Sequence, residues 1–302
     1  NFYMSSSTLY THQSANIFKT YVLMGFFLIM VIAVGYAAAW YMGNPIILYA
    51  AVVFALGMNV YSYWSSDKLV LRMTNAVPAD INQHRELINI VENLSITAGL
   101  PMPKVYVVND PAPNAFATGR NPEHAVVAAT TGLLAILDRN EIEGVMAHEL
   151  AHVGNRDMLV MTVAVVLAGF VALVADFFTR ALMFDGGRDN KHPAFLIIGI
   201  VGIVLAPIAA QLMQMAVSRR REYLADATGA LLTRYPEGLA SALEKISGAG
   251  VPMKKASHAT AHLFISDPFA GGKKGVWQKL GGMFHTHPPA GERIARLRGM
   301  NI

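Results

Sequence analysis

The chain has 302 residues, of which 54% are hydrophobic and 15% charged, and its mean hydropathy is +0.38. Charged residues make up about a quarter of a soluble domain, so this composition disfavours a soluble protein and indicates a membrane protein. The absence of cysteine excludes disulfides and thiolate metal sites, and the modest net charge of +4 argues against a nucleic-acid partner.

Four apolar segments are long enough to cross a bilayer, which takes about 20 apolar residues. They are residues 22–40, 46–64, 158–175 and 194–217. The first segment also resembles the core of a cleaved signal peptide, but it is longer than such cores usually are. We therefore expect two membrane hairpins.

The hairpins divide the polar sequence into three parts. The predicted boundaries are 1–20 for an N-terminal tail, 21–64 for the first hairpin, 65–157 for the main polar part, 158–217 for the second hairpin and 218–302 for the last polar part. Two spans in each hairpin place all three polar parts on one side of the membrane. Lys and Arg are concentrated there, although the opposite loop carries Arg180, Arg188 and Lys191. The positive-inside rule favours a cytoplasmic location for the polar parts.

Periodicity and capping signals predict an α+β protein that is mainly helical and has a small sheet. Asp80 is the predicted cap of the first polar helix, and Asn140 with Glu143 resembles a capping box for the helix that carries His148. The other predicted elements are helices over 80–98, 131–137, 236–246 and 289–298 and strands over 104–108 and 125–130.

The stretch AHELAHVGNRD contains His148, Glu149 and His152 in the spacing His-Glu-x-x-His. Residues four apart share one face of a helix, so both histidines can bind one zinc ion that keeps an open position for water. Glu149 can then take a proton from water and pass it to the leaving amine. The same spacing also occurs among histidines of ordinary helices, so the motif alone leaves both interpretations open.

A third ligand would distinguish them. The pattern with a further histidine is excluded because Met158 stands at that position, whereas Glu222 on a later helix fits the alternative pattern. Asp226, one turn beyond Glu222, can hydrogen-bond the outer nitrogen of a ligand histidine. Glu222 could instead pair with a neighbouring arginine. The ligand interpretation is favoured because the second hairpin begins just after His152 and returns just before Glu222.

Four motifs resemble those of the HtpX-type membrane metallopeptidases among the gluzincins. They are NAFATG (114–119), HELAHVGNRD (148–157), SRRREYLAD (218–226) and HPPAGERIARL (287–297). The resemblance implies one Zn2+ per chain, bound by His148, His152 and Glu222, with Glu149 as general base and acid. It also implies a multi-pass protease of the bacterial inner membrane with a cytoplasmic active site, which degrades misfolded or damaged membrane proteins.

Two further roles follow from the resemblance. His287 and Arg293 match a pair in the related CAAX prenyl endopeptidases, which implies that they stabilise the oxyanion. Alternatively, His287 caps the last helix and Arg293 is solvated. The neighbouring His285 could also take the place of His287 as the oxyanion donor. The NAFATG motif resembles an edge strand that binds an extended substrate, or it is a turn and strand that only pack. The predicted substrate-binding residues are Asn114, Ala115, Phe116, Ala117, Thr118 and Gly119.

Other functions remain as alternatives. An intramembrane protease of the site-2 type is disfavoured by the charges that precede His148, and a CAAX-type enzyme would have more than four spans. A transporter or scaffold predicts polar residues at mid-bilayer, whereas the ionisable residues lie outside the spans. His258 and His262 are also four residues apart but lack a matching glutamate for a second metal site. The sequence indicates no particular oligomeric state.

Overall fold

The computed structural model describes residues 9–184, 219–254, 263–266 and 288–300, and within them the chain is mainly helical with one small mixed sheet. The helices are α1 (Leu9–Met42), α2 (Ile46–Thr74), α3 (Arg85–Ala98), α4 (Thr131–Ile136), α5 (Arg139–Gly154), α6 (Asp157–Phe184), α7 (Arg219–Thr233), α8 (Pro236–Gly248) and α9 (Ala290–Arg298). The strands are β1 (Ala76–Pro78), β2 (Lys104–Val108), β3 (Ala115–Thr118) and β4 (Val126–Thr130).

Two described helices are long and apolar enough to cross a membrane. The qualifying stretches are Ser14–Trp40 in α1 and Ile46–Ser65 in α2, in agreement with the first predicted hairpin. Because α1 already begins at Leu9, part of the predicted N-terminal tail is helical. The predicted third span falls in α6. This helix is counted as a candidate membrane span only when it is taken together with α5, from which it is bent by 83°. The predicted fourth span, 194–217, lies outside the described residues.

The apolar faces of α1, α2 and α6 pack together. Phe27 and Leu167 are fully buried in the cluster that joins α1 to α6. The ring of Phe170 on α6 lies 6.4 Å from the ring of Phe27 and 4.7 Å from that of Phe54 on α2. The chain that leaves α5 therefore packs against α1 and α2, the two candidate membrane helices.

The sheet has the strand order β1-β2-β4-β3. Strands β2 and β4 are parallel, and the other two pairs are antiparallel. Strand β2 agrees with the prediction, and β4 begins one residue later than predicted. Strand β3, which carries most of the NAFATG motif, lies at the edge of the sheet and contacts α5.

The capping box of α5 differs from the predicted one. Its members are Asp138 and Glu141 rather than Asn140 and Glu143: each carboxylate accepts a hydrogen bond from the backbone N–H of the other residue, at 2.8 and 3.0 Å. Glu141 also accepts hydrogen bonds from Ser241 at 2.6 Å and Lys245 at 2.7 Å, both on α8. These long-range bonds fix the start of α5.

Helix α3 also begins later than predicted. The carboxylate of Asp80 accepts the N–H of Asn82 at 2.7 Å, so this aspartate stabilises a turn, and the helix begins only at Arg85. The helix ends at Ala98 before Gly99, as predicted.

Two glycines allow helices to approach α5 at backbone distance. A Cβ on Gly144 of α5 would lie 2.6 Å from the backbone nitrogen of Leu239 on α8. A Cβ on Gly229 of α7 would lie 2.9 Å from the backbone nitrogen of His148. Both distances are shorter than a carbon atom tolerates, so α7 and α8 can pack this closely only because these positions are glycine.

We expect Gly144→Ala to lower the free energy of unfolding by about 1–3 kcal/mol, because the added methyl group meets backbone atoms that cannot rotate away. Gly291→Ala is the matched control, since Gly291 lies in α9 and nothing surrounds its Cβ position within 4 Å. That control should be neutral or stabilising by up to about 1 kcal/mol. Denaturant titration of both variants measures the difference, and equal stabilities would contradict the packing argument.

Candidate metal centre

Helices α5 and α7 bring three buried potential metal ligands together. His148 and His152 lie one turn apart on α5, and Glu222 lies in the first turn of α7. One ligand atom from each side chain lies within 4.8 Å of the other two. The helical face and the later helix that the sequence predicted are thus adjacent in the structure.

The distances between these ligand atoms suit a small tetrahedral ion. The Nε2 atoms of His148 and His152 are 3.2 Å apart. The carboxylate of Glu222 lies 3.6 Å from Nε2 of His152 and 3.9 Å from Nε2 of His148. Ligands at 2.0–2.1 Å from a tetrahedral zinc ion are about 3.3 Å apart, so the three side chains need only small adjustments to bind one.

Carboxylates on the far side of both imidazoles determine which nitrogen faces the centre. Nδ1 of His148 lies 2.9 Å from Asp226, and Nδ1 of His152 lies 3.2 Å from Asp157. Each Nδ1 then donates a proton, which leaves the lone pair of Nε2 directed at the same point. Two lone pairs and a carboxylate that converge in a buried space favour a positive charge between them.

The pKa values of the two histidines show the same preference for a positive charge at the centre. Burial lowers the pKa of His148 to about 4, so this ring is neutral. Burial also acts to lower the pKa of His152, but Asp157 and Glu222 outweigh it and raise the pKa to about 9. The surroundings therefore favour one positive charge at the centre, which a metal ion can supply in place of a proton.

The set of donors restricts which metal fits. Two imidazole nitrogens and one carboxylate form a ligand set that catalytic zinc sites use, with the fourth position left open. All three side chains are buried, which limits competition from bulk water. The residues present thus fit a zinc ion.

Glu149 lies next to this centre without belonging to the three potential ligands. It is only 2% exposed, and burial, with a contribution from the nearby Glu222, raises its pKa to about 7, although His152 acts in the opposite direction. The backbone amide of Ala117 on β3 hydrogen-bonds to its carboxylate. A carboxyl group with a pKa near neutrality can both accept and donate a proton.

Arg293 lies behind His148 and is 1% exposed. Its Nε and Nη2 donate to the carboxylate of Asp226 at 2.9 and 2.6 Å, and its Nη1 donates to the carbonyl of Ile265 at 3.1 Å. Burial alone would raise the pKa of Asp226, but Arg293 and His148 together outweigh it and lower the pKa to about 2. Arg293 is thus not solvated, and it holds Asp226 ionised against His148.

The part that Asp157 plays at the site was missed by sequence reasoning, in which this residue only ended the HELAHVGNRD motif (148–157). Between α5 and α6 the chain turns by 83°, with Arg156 at a φ of +57°. This turn directs the carboxylate of Asp157 back to His152. The available signal was an acidic residue shortly after the second histidine of the motif.

The edge strand β3 is partly paired on its outer side. An antiparallel bridge joins Phe116 to Phe264, whose rings lie 5.4 Å apart, edge to face. The N–H of Ile265 donates to the carbonyl of Ala115 at 3.0 Å. The chain therefore occupies the start of this edge itself, while Ala117 faces Glu149.

Other predicted substrate-binding side chains bond within the fold. The amide of Asn114 donates to the carbonyl of Ser266 at 3.1 Å, and the hydroxyl of Thr118 lies 3.1 Å from that of Thr162 on α6. Gly119 follows β3 with a φ of +140°. The part of this motif directed at the site is therefore backbone.

Several predicted residues lie outside the described part of the chain. They are His258, His262, His285 and His287.

The sequence of the chain is similar to one protein family and to several known proteins. The profile of the family described as "Peptidase family M48" matches residues 82–301. The chain is 46% identical to a "Protease HtpX homolog" of Caldanaerobacter subterraneus subsp. tengcongensis over 99% of this chain and 100% of that protein. It is 47% identical to one of Tropheryma whipplei (strain Twist) over 97% of this chain and 98% of that protein.

A solved structure shares the fold. The crystal structure of S. mikatae Ste24p superimposes with a TM-score of 0.51 at 18% identity. The superposition covers 94% of this chain but 64% of the solved one, so the chain spans less than two thirds of that protein.

Proposed function

The chain belongs to peptidase family M48 and is a membrane metalloprotease, and on that basis we propose that it is a zinc endopeptidase with His148, His152 and Glu222 as its metal ligands. The observation that carries this proposal is the convergence of two Nε2 atoms and one carboxylate in a buried space. The full-length similarity to HtpX homologues favours an HtpX-type enzyme over a CAAX-type one.

Glu149 is the proposed general base and acid. A zinc ion at this centre would supply Lewis-acid chemistry, which polarises a carbonyl group and makes water more acidic. The carboxylate of Glu149 accepts the proton of the attacking water and returns it to the nitrogen of the leaving amine. The burial that raises its pKa to about 7 supports both steps near neutral pH.

We assign Arg293 a positioning role rather than the predicted contact with the oxyanion. Its hydrogen bonds run to Asp226 and Ile265, and its Nη2 lies 3.5 Å from Nδ1 of His148. Asp226 in turn fixes the ring that binds the metal. His287 remains the proposed oxyanion donor from the sequence resemblance.

The proposed substrates are unfolded polypeptides and segments of misfolded or damaged membrane proteins. An extended peptide can pair with backbone groups of an edge strand largely independently of its sequence, and β3 directs backbone rather than side chains at Glu149. The proposed location is the bacterial inner membrane, with four spans and with the site on the cytoplasmic side, where lysine and arginine are concentrated.

We expect the full-length protein in detergent to contain about one zinc ion per chain, measured by elemental analysis after mild dialysis. His152→Ala should lose most of this metal. His124→Ala is the matched control, because His124 is exposed and contacts Asn121 and Arg120 outside the centre. A folded wild type without metal, even after zinc is added, would refute the proposed centre.

A further inference from the structure

A side chain of the first membrane helix reaches the support of the metal centre. Asn16 lies on α1 within the candidate span Ser14–Trp40 and is 4% exposed. Its Nδ2 donates to Oδ1 of Asp157 at 2.6 Å and to the carbonyl of Asn155 at 3.1 Å. Both acceptors lie at the junction of α5 and α6, far along the chain from Asn16.

Asp157 relays this contact to a proposed metal ligand. Its second oxygen, Oδ2, lies 3.2 Å from Nδ1 of His152. The carboxylate is fully buried, so its orientation depends on neighbouring protein groups rather than on bulk water. The guanidinium of Arg221 also lies near this carboxylate, with its Nε 3.9 Å from Oδ1.

We propose that Asn16 is a positioning residue of the metal centre. By holding Oδ1 of Asp157, it keeps Oδ2 directed at His152, and the imidazole then presents Nε2 to His148 and Glu222. Without the amide of Asn16, the carboxylate is free to rotate towards Arg221, which lengthens its bond to His152. The N-terminal membrane helix is thus part of the metal-binding structure as well as an anchor. This inference rests on the proposed metal centre.

A buried polar residue could also serve only the packing of α1, and the chain offers a control for that role. Thr20 lies one turn further along α1 and is 1% exposed. Its hydroxyl donates to the backbone carbonyl of Asn16 within the same helix. Thr20→Val therefore perturbs a buried polar position of α1 and removes no bond to the metal centre.

The test compares Asn16→Leu with Thr20→Val in the full-length protein in detergent. Zinc affinity is measured by competition with a chromophoric chelator, and the geometry of the centre by the ligand-field absorption of the Co2+ form. Loss of a hydrogen-bonding partner of a metal ligand weakens binding roughly 10–100-fold, so we expect such a loss for Asp157→Ala. Asn16 is one contact further from the metal, so Asn16→Leu should weaken zinc binding by about 3–10-fold and alter the Co2+ spectrum. Thr20→Val should change neither.

A double-mutant cycle shows whether Asn16 acts through Asp157. Adding Asn16→Leu to Asp157→Ala should weaken binding little further, because the carboxylate that Asn16 holds is already gone. An equal effect in both backgrounds would overturn the proposal, as would Asn16→Leu binding zinc as tightly as Thr20→Val.

Two further outcomes separate this inference from the proposed function. If the wild type binds no metal, the proposed function and this inference both fail, whereas wild-type binding with no effect of Asn16→Leu refutes this inference alone. If Asn16→Leu does not fold, Asn16→Ala provides the same comparison, because it removes the amide without adding apolar bulk.

Discussion

Glu149→Gln should lower the rate of peptide hydrolysis about 10²–10⁴-fold, the contribution typical of a general acid–base group. The amide has nearly the shape of the carboxyl group but cannot accept the proton of water. The three proposed ligands are unchanged, so the variant should retain its metal. Casein or quenched-peptide hydrolysis, normalised to bound zinc, measures the effect.

The matched control for this substitution is Glu141→Gln on the same helix. Glu141 is also buried, but it bonds to Ser241 and Lys245 of α8 rather than facing the metal centre. Weakening these bonds should lower the free energy of unfolding by about 1–3 kcal/mol and leave the activity per folded molecule unchanged. Hydrolysis by Glu149→Gln at the rate of Glu141→Gln would exclude Glu149 as the base.

Glu222→Ala should lose the metal itself. The substitution removes the anionic member of the ligand set and leaves two neutral imidazoles, so zinc affinity should fall by more than the roughly 100-fold upper range for loss of a neighbour of a ligand. Glu92→Ala is the control, since Glu92 is exposed on α3. Chelator competition compares the two variants, and wild-type affinity in Glu222→Ala would mean that another side chain completes the centre.

The sequence alone was sufficient to predict the structure where a short motif determines the local geometry. Helical spacing places His148 and His152 on one face of α5, and the zinc-site pattern with a later glutamate pointed to Glu222, which lies beside them on α7. Strands β2 and β4 were equally accessible because alternation and turn residues mark them locally. Such features depend on neighbouring residues, which a sequence displays directly.

The structure departs from the sequence-based predictions where contacts with residues distant in the chain decide the local structure. Two overlapping patterns, Asp138 with Glu141 and Asn140 with Glu143, could each cap α5, and the contacts of Glu141 with α8 decide between them. The role of Asn16 depends on a contact with Asp157, 141 residues further along the chain. Neither contact leaves a signal in the local sequence.

The direct backbone contact at Gly229 determines how accurately the metal centre is held. A side chain between two helices can change its rotamer, and the spacing of the helices changes with it. Gly229 places no side chain between α7 and the backbone of His148, so the closest approach is limited by the contact radii of backbone atoms. The spacing between the backbone of α7 and that of His148 therefore has a narrow mechanical tolerance, because it can change only when a whole helix is displaced.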